Sequence, residues 1–465
     1  MSLRVTALSA LLAMLLLSFA VAAPARASRT QPLYFDAPEL RNPDARGATL
    51  DELQSLGVRA VRVVMYWQDV APDAGRNNRP TVDLRDPASY NWGEYAAAIE
   101  AATDRGFDVL LTLTTPGPRW GTRAKKDGIT RPLPAEFRRF AEAAGRRFGD
   151  RVDAWAALNE PNHPDFLGPQ YSAKGRPLSP GIYRGLYQAM VSGLATSGNG
   201  KDTVLMGETA PRGTGRVVAP LTFLRGALCL SAKYRKRKSC GRLDVDGWAH
   251  HPYTTKVGPW FRPPGANDVT IGVLSRLTKA LDRATRAGAF VRRSKMPVWL
   301  TEFGIQSTPD RYFGVSLAKQ NEYRAIAERM AWGNPRVRAF SQYLLHDDRP
   351  IEGQTGRSRY GGFESGLRFA TGREKPALDG FRLALSALRS GSRVSLWGVV
   401  RPATAPTSVD VLYADKGSNT FRFLKTVRTD ARGYLTLTTK YKKTRRYRLR
   451  WDDAQGYPVR VYKRR

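Results

Sequence analysis

From about residue 33 to residue 389 the apolar positions follow a repeating rhythm. A short apolar or alternating run comes first, then a turn, then a stretch with the helical period of about 3.6 residues. The runs at 33–36, 59–66, 107–114, 152–158, 203–206, 243–249, 298–301 and 339–345 predict eight strands. Helical spacing comes after them at 50–56, 92–105, 134–148, 181–196, 221–228, 273–287, 317–332 and 375–388. Gly57 and Gly106 stop the first two of these helices, and Pro134 suits the first turn of the third. Strands alternating one-for-one with helices predict an α/β fold of the (β/α)8 TIM-barrel type over residues 28–389.

The pattern changes near Ser390-Gly391-Ser392. Short alternating runs at 394–400, 409–413, 421–427, 434–438 and 447–451 take over, with turn chemistry at Gly417 and Gly433. Tyr447-Arg448-Leu449-Arg450-Trp451 sends apolar side chains one way and arginines the other. Residues 391–465 therefore predict a small, immunoglobulin-like β-sandwich module. It carries 18 Lys and Arg against 5 Asp and no Glu.

Composition adds a compartment and a charge. A short positive start at Arg4, an apolar stretch 5–23 and Ala25-Arg26-Ala27 read as a signal peptide over residues 1–27, and hence as a secreted protein. An uncleaved membrane anchor is the rival reading. No other run reaches the roughly 20 apolar residues of a membrane span. Export permits a disulfide, and the two cysteines, Cys229 and Cys240, flank a basic loop with Lys233, Arg235, Lys236, Arg237 and Lys238. The formal net charge of +34 favours contact with anionic surfaces, here an extracellular or cell-wall polymer met by the basic loop and the C-terminal module. Nucleic acid is not expected, because no helix-turn-helix, zinc-finger or RNP-like pattern occurs.

Two strings carry the chemistry. Trp155-Ala-Ala-Leu-Asn159-Glu160-Pro161 ends the fourth strand, and Pro297-Val-Trp-Leu-Thr-Glu302-Phe-Gly304 ends the seventh. In a parallel barrel both glutamates reach the same mouth. Two carboxylates facing one gap, one serving as acid and one as nucleophile, are what cleavage of a glycosidic bond requires.

These motifs resemble those of the retaining glycoside hydrolases of clan A, most like the cellulase-like family 5 and with some similarity to family 39. The resemblance covers about residues 33–389. It implies that Glu160 is the acid/base, that Glu302 is the nucleophile and that Asn159 bonds the sugar 2-hydroxyl. It implies that Arg62, in the second strand, lies under the nucleophile and keeps it ionised, and that His251 and Tyr253 reach the mouth from the sixth strand. The expected activity is hydrolysis of a polysaccharide or oligosaccharide with no metal and no cofactor. One departure concerns the eighth strand, which lacks the family's sugar-stacking Trp. Tyr343 or His346 is the expected substitute.

Trp67 and Trp120 fall in strand-end loops, where flat rings suit sugar faces, with Trp260 a third candidate. Packing is the alternative for each. The four histidines, His163, His250, His251 and His346, all fall at or just beyond strand ends. Adjacent His250 and His251 point to opposite faces, which argues against a metal site. The competing functional class is a carbohydrate- or cell-wall-binding protein with weak or no catalysis.

Overall fold

The computed structural model describes residues 31–464. The expected signal peptide, residues 1–27, lies outside them. Among the described residues no helix is long and apolar enough to cross a membrane.

Eight parallel strands close into a barrel in sequence order: β1 Leu33–Asp36, β2 Ala60–Tyr66, β3 Asp108–Thr114, β4 Ala154–Ala157, β5 Thr203–Thr209, β6 Gly247–His250, β7 Val298–Leu300 and β8 Val337–Tyr343. The helices between and after them are α1 Pro43–Ser55, a single turn α2 Trp67–Val70, α3 Gly93–Asp104, α4 Pro134–Phe148, α5 Ser179–Thr196, α6 Pro220–Ala227, α7 Ser275–Arg286, α8 Leu317–Trp332 and α9 Pro376–Arg382. The expected TIM barrel is present.

Its interior explains how the mouth is built. An apolar cluster inside the barrel draws on every strand: Tyr34, Ala60, Leu110, Ala154 and Ala156, Leu205, Ala249, Trp299 and Ala339. It makes the interior a packed plug, not a pore. Because side chains alternate with a period of two, the next inward positions stand one layer higher. Tyr34 leads to Asp36, Ala60 to Arg62, and Ala249 to His251. The apolar plug thus sets the depth at which the polar layer begins.

The C-terminal strands are β9 Leu383–Ser390, β10 Arg393–Val400, β11 Ser408–Ala414, β12 Arg422–Arg428, β13 Tyr434–Lys440, β14 Arg446–Trp451, β15 Ala454–Gln455 and β16 Val459–Lys463. They form a mostly antiparallel path, β12-β11-β14-β16-β9-β10-β13, with β15 on β14. The two halves share one apolar core that includes Leu396, Val411, Leu435 and Leu449. β16 joins the halves, antiparallel to β14 and parallel to β9. One expectation fails here. The apolar spacing predicts a closing helix over 375–388, but the helix ends at Arg382, and Leu383–Ser390 is a strand of the C-terminal sheet.

Helix α8 carries the joint between barrel and sheet. Arg329 donates to Ser395 Oγ at 2.7 Å. Glu328 pairs with Arg401, and Glu322 accepts from Arg460 at 2.6 Å. Trp332 packs against Trp397 and Tyr434.

Candidate active site at the barrel mouth

Arg62 is the centre of the polar layer. Its guanidinium is fully buried and every donor nitrogen is engaged. Nη1 donates to Asp36 Oδ2 at 2.7 Å and to Glu302 Oε2 at 3.0 Å. Nη2 donates to Asn159 Oδ1 at 2.8 Å and to Glu208 Oε2 at 2.9 Å, and Nε to Glu208 Oε1 at 3.2 Å. Three carboxylates on one cation leave the cluster acidic. Burial pushes the Asp36 carboxyl up to about 6; Arg62 opposes the rise, and Glu302 and Glu208 add to it.

Glu302 is held at both oxygens. Oε2 accepts from Arg62, and Oε1 accepts from the Tyr253 hydroxyl at 2.6 Å. Tyr253 titrates far above its usual range, because it is buried and faces the Glu302 charge. Glu160 stands across the gap and receives fewer contacts. Its Oε1 lies 3.0 Å from His251 Nδ1, and the same nitrogen is 3.6 Å from Glu302 Oε2. Both carboxylates thus touch one imidazole nitrogen. The two distances bring Glu160 Oε1 and Glu302 Oε2 to a single atom, the close approach that a nucleophile and an acid flanking one glycosidic bond require. Burial works against a charged His251 ring. Glu302 and the hydrogen bond to Glu160 outweigh it, so the pKa is raised.

The backbone aims these groups. Glu160 and Glu208 both adopt left-handed φ, at 39° and 44°. Such conformations cost free energy and persist where the surroundings over-determine them. The surroundings here are visible: Glu160 N–H donates to Glu208 C=O at 3.0 Å, and Asn159 N–H donates to Thr114 Oγ1 at 2.9 Å. Gly207, at φ 120°, has no room for a side chain, since a Cβ would sit 2.4 Å from Ala249 O.

A cleft of about 360 Å³ opens over the cluster, lined by Asp36, Arg62, Asn159, Glu160, Glu302 and Tyr343 among others. Tyr343 packs edge-on to Tyr253 and Phe363. It occupies the place expected for a substitute at the end of the eighth strand. His346 instead pairs with Glu39 at 2.9 Å and does not line the cleft.

The two tryptophan candidates must be corrected. Trp67 is completely buried, stacked on Phe140 at 5.6 Å and edge-on to Trp120 and Phe137. Trp120 is 3% exposed, with its Nε1 donating to Pro72 O. Rings without free faces cannot stack on a sugar, so both are core. Trp260 packs on Tyr323 and Tyr462 at the joint with the C-terminal sheet. His250 is a satisfied interior residue: its ring nitrogens meet Thr209 Oγ1 and Val269 O, and burial pushes it down to about 3.

Asp36 joins the site without having been expected there, and Glu208, which the sequence puts near the mouth beside Asp165, Asp347 and Asp348, joins it as a partner of Arg62. Asp36 and Glu208 each end a barrel strand or nearly so, the same signal that points to Glu160 and Glu302. Cys229 and Cys240 form a disulfide. Among the described residues no group of three or more His, Cys, Asp or Glu is arranged to hold a metal ion.

No family model matches the sequence. A 113-residue stretch, 24% of this chain, is 25% identical to β-glucosidase A of Thermotoga maritima. That match spans only 23% of the relative's own length. The fold is similar to that of a family 39 glycoside hydrolase from Xanthomonas axonopodis pv. citri, with TM-score 0.51 and 14% identity over 94% of each chain. It is also similar to a family 39 glycoside hydrolase from the gut symbiont Bacteroides cellulosilyticus WH2, with TM-score 0.50 and 14% identity over 88% of this chain and 81% of that one. At this identity the likeness is one of fold. Both of these structures are described as family 39 enzymes, whereas the sequence motifs resemble family 5 most.

Proposed function

We propose that this chain is a secreted, retaining β-glycoside hydrolase acting on a polysaccharide or oligosaccharide. The observation that carries the reading is the convergence of Glu160 and Glu302, delivered by β4 and β7, on one nitrogen of the buried His251. Their environments divide the roles. Glu302 is oriented by Arg62 and Tyr253 and attacks the anomeric carbon. Glu160 has a freer carboxyl at the cleft wall and protonates the leaving oxygen. A covalent glycosyl-enzyme results, and Glu160 then takes a proton from the water that releases it. Asn159, anchored to Arg62, presents its amide to the sugar 2-hydroxyl. The Cys229–Cys240 disulfide supports an exported protein.

Azide rescue is the test. Glu302→Gly should lose nearly all turnover, and added azide should restore it while yielding an α-glycosyl azide from an aryl β-glycoside. Glu160→Ala should retain far more activity on activated aryl leaving groups than on natural linkages. A natural product of inverted configuration from the wild type overturns the retaining assignment.

A docking role for the C-terminal sheet is the second element. One face of β14 presents Arg446, Arg448 and Arg450, with Arg448 over the Phe421 ring at 4.2 Å and Phe423 58% exposed beside them. Asp410, paired with Arg450, supplies an opposing charge on that face. We expect Arg446→Ser/Arg448→Ser to weaken co-sedimentation with an anionic wall polymer several-fold and leave aryl-glycoside turnover intact. Unchanged pelleting removes the docking idea. Substitution is the cleaner test, because cutting at residue 391 would strip β9 of both its partners.

A further inference from the structure

A second cavity of about 540 Å³ adjoins the first. Glu160, His163 and Phe363 line both, whereas Glu302, Asn159 and Arg62 line only the first. On the glycosidase reading above, on which this inference rests, the attacked sugar occupies the first cavity. The leaving group, which receives its proton from Glu160, extends into the second.

The two halves differ in charge. The first is lined by Asp36, Glu160, Asp165 and Glu302 against Arg41 and Arg62. The second is lined by Arg212 and Lys256 against Glu160 alone. Both cations are within reach of solvent, and among the described residues neither forms an ion pair; Lys256 Nζ donates to Arg311 O at 2.6 Å, and Arg212 lies over the Phe261 ring.

The same cavity holds the aromatic surface that Trp67 and Trp120 do not supply. Tyr312 and Phe313 are 40% and 49% exposed. The buried Asp310 carboxylate accepts from both of their backbone N–H groups, at 2.6 Å and 3.0 Å, so the turn carrying the rings is fixed. Gly314 has no space for a side chain against Asp310 O and Ser307 O, which holds the turn closed. Arg357 lies 5.9 Å and 5.8 Å from the two ring centroids. Flat rings beside unpaired cations suit a pyranose that bears an anionic group.

We propose that the leaving-group half of the cleft is a subsite for an acidic sugar unit, its ring on Tyr312 and Phe313 and its carboxylate or sulfate met by Arg212 and Lys256.

The test is calorimetric binding to full-length Glu302→Gln protein, using size-matched neutral, uronic acid and sulfated oligosaccharides. At least one acidic series should bind about tenfold tighter than the neutral one, with an advantage that shrinks as salt rises. The arm that binds tighter identifies the anionic group. Adding Arg212→Ala/Lys256→Ala should abolish the advantage, and Tyr312→Ala/Phe313→Ala should weaken neutral and acidic ligands alike. Equal binding of all three series overturns the inference, as does an acidic preference that survives loss of both cations. Turnover of an aryl β-glycoside, which leaves the second cavity without a sugar, tests the glycosidase reading separately. Wild type that cleaves it but shows no acidic preference sinks only the subsite. Wild type that does not cleave it, yet shows the Arg212- and Lys256-dependent preference, sinks only the catalytic reading.

Discussion

Two buried charge clusters in this molecule have opposite balances. At the barrel mouth one arginine, Arg62, faces three carboxylates: Asp36, Glu208 and Glu302. At the joint with the C-terminal sheet one carboxylate, Glu328, faces two arginines, Arg324 and Arg401. Burial penalises the charged form in both places, and the sign of the local excess sets the direction in which each carboxyl is shifted. At the mouth Asp36 is pushed up to about 6 by burial and by its like-charged neighbours. At the joint burial also works against the Glu328 carboxylate, but Arg401 and Arg324 prevail and hold it below its usual value. An excess of acid raises the pH at which the Asp36 carboxyl takes up its proton. An excess of guanidinium has no proton to give and serves to fasten one layer to another.

The largest expected effect separates the two clusters by pH. Arg62→Met leaves three carboxylates without their cation, and Glu328→Gln leaves two guanidinium groups without their anion. Each should destabilise the full-length protein by at least ~3 kcal/mol in urea unfolding at pH 7. Lowering the pH towards 4 should recover part of the Arg62→Met loss, because carboxylates can take up protons. It should recover none of the Glu328→Gln loss. Equal pH response of the two variants would remove the distinction.

A smaller effect of opposite sign sharpens it. The folded Asp36 carboxyl titrates near 6, above its ordinary 3.8. Its charge therefore costs stability above pH 6. The cost fades as pH falls through the window between those values and is absent below it. Asp36→Asn should stabilise the protein at pH 7.5 by at most about 3 kcal/mol, with the gain vanishing near pH 4. A thermal-melting series across that range reads it directly. A gain that persists at pH 4 would mean that packing, not charge, is responsible.

The barrel is legible in the sequence because its eight strands are short, apolar and separated by helical spacing and glycine stops. Glu160 and Glu302 are legible because strand ends in such a barrel share one rim, whereas Arg62, inside β2, is legible only through the resemblance to clan A. β9 is not. Its first six residues, Leu383 to Leu388, are all buried. One face meets the sheet's own core, and the other lies with Trp397 against Trp332. A strand covered on both faces shows no alternation, and Leu383-Ala-Leu-Ser-Ala-Leu388 then continues the helical pattern before it. The tryptophans mislead for a related reason. Placement near a strand end does not say whether a ring turns outward or under its own loop, and Trp67 turns under. Tyr312 and Phe313 carry no periodic signal, since a loop held by Asp310 has none. Glu322 and Glu328 are charged residues of a helix, the kind that normally meets water, yet they pair with Arg460 and Arg401 of the C-terminal module.

The parallel pairing of β16 with β9 has a consequence for how the chain matures. β9 leaves the ribosome before every other strand of its sheet, and β16 after all of them. Through that interval β10 can satisfy one margin of β9 while the other presents bare amide and carbonyl groups to any neighbour. The newborn protein is thus most prone to pairing with the wrong strand during the time needed to translate some seventy codons, a hazard that ends when residues 459–463 dock.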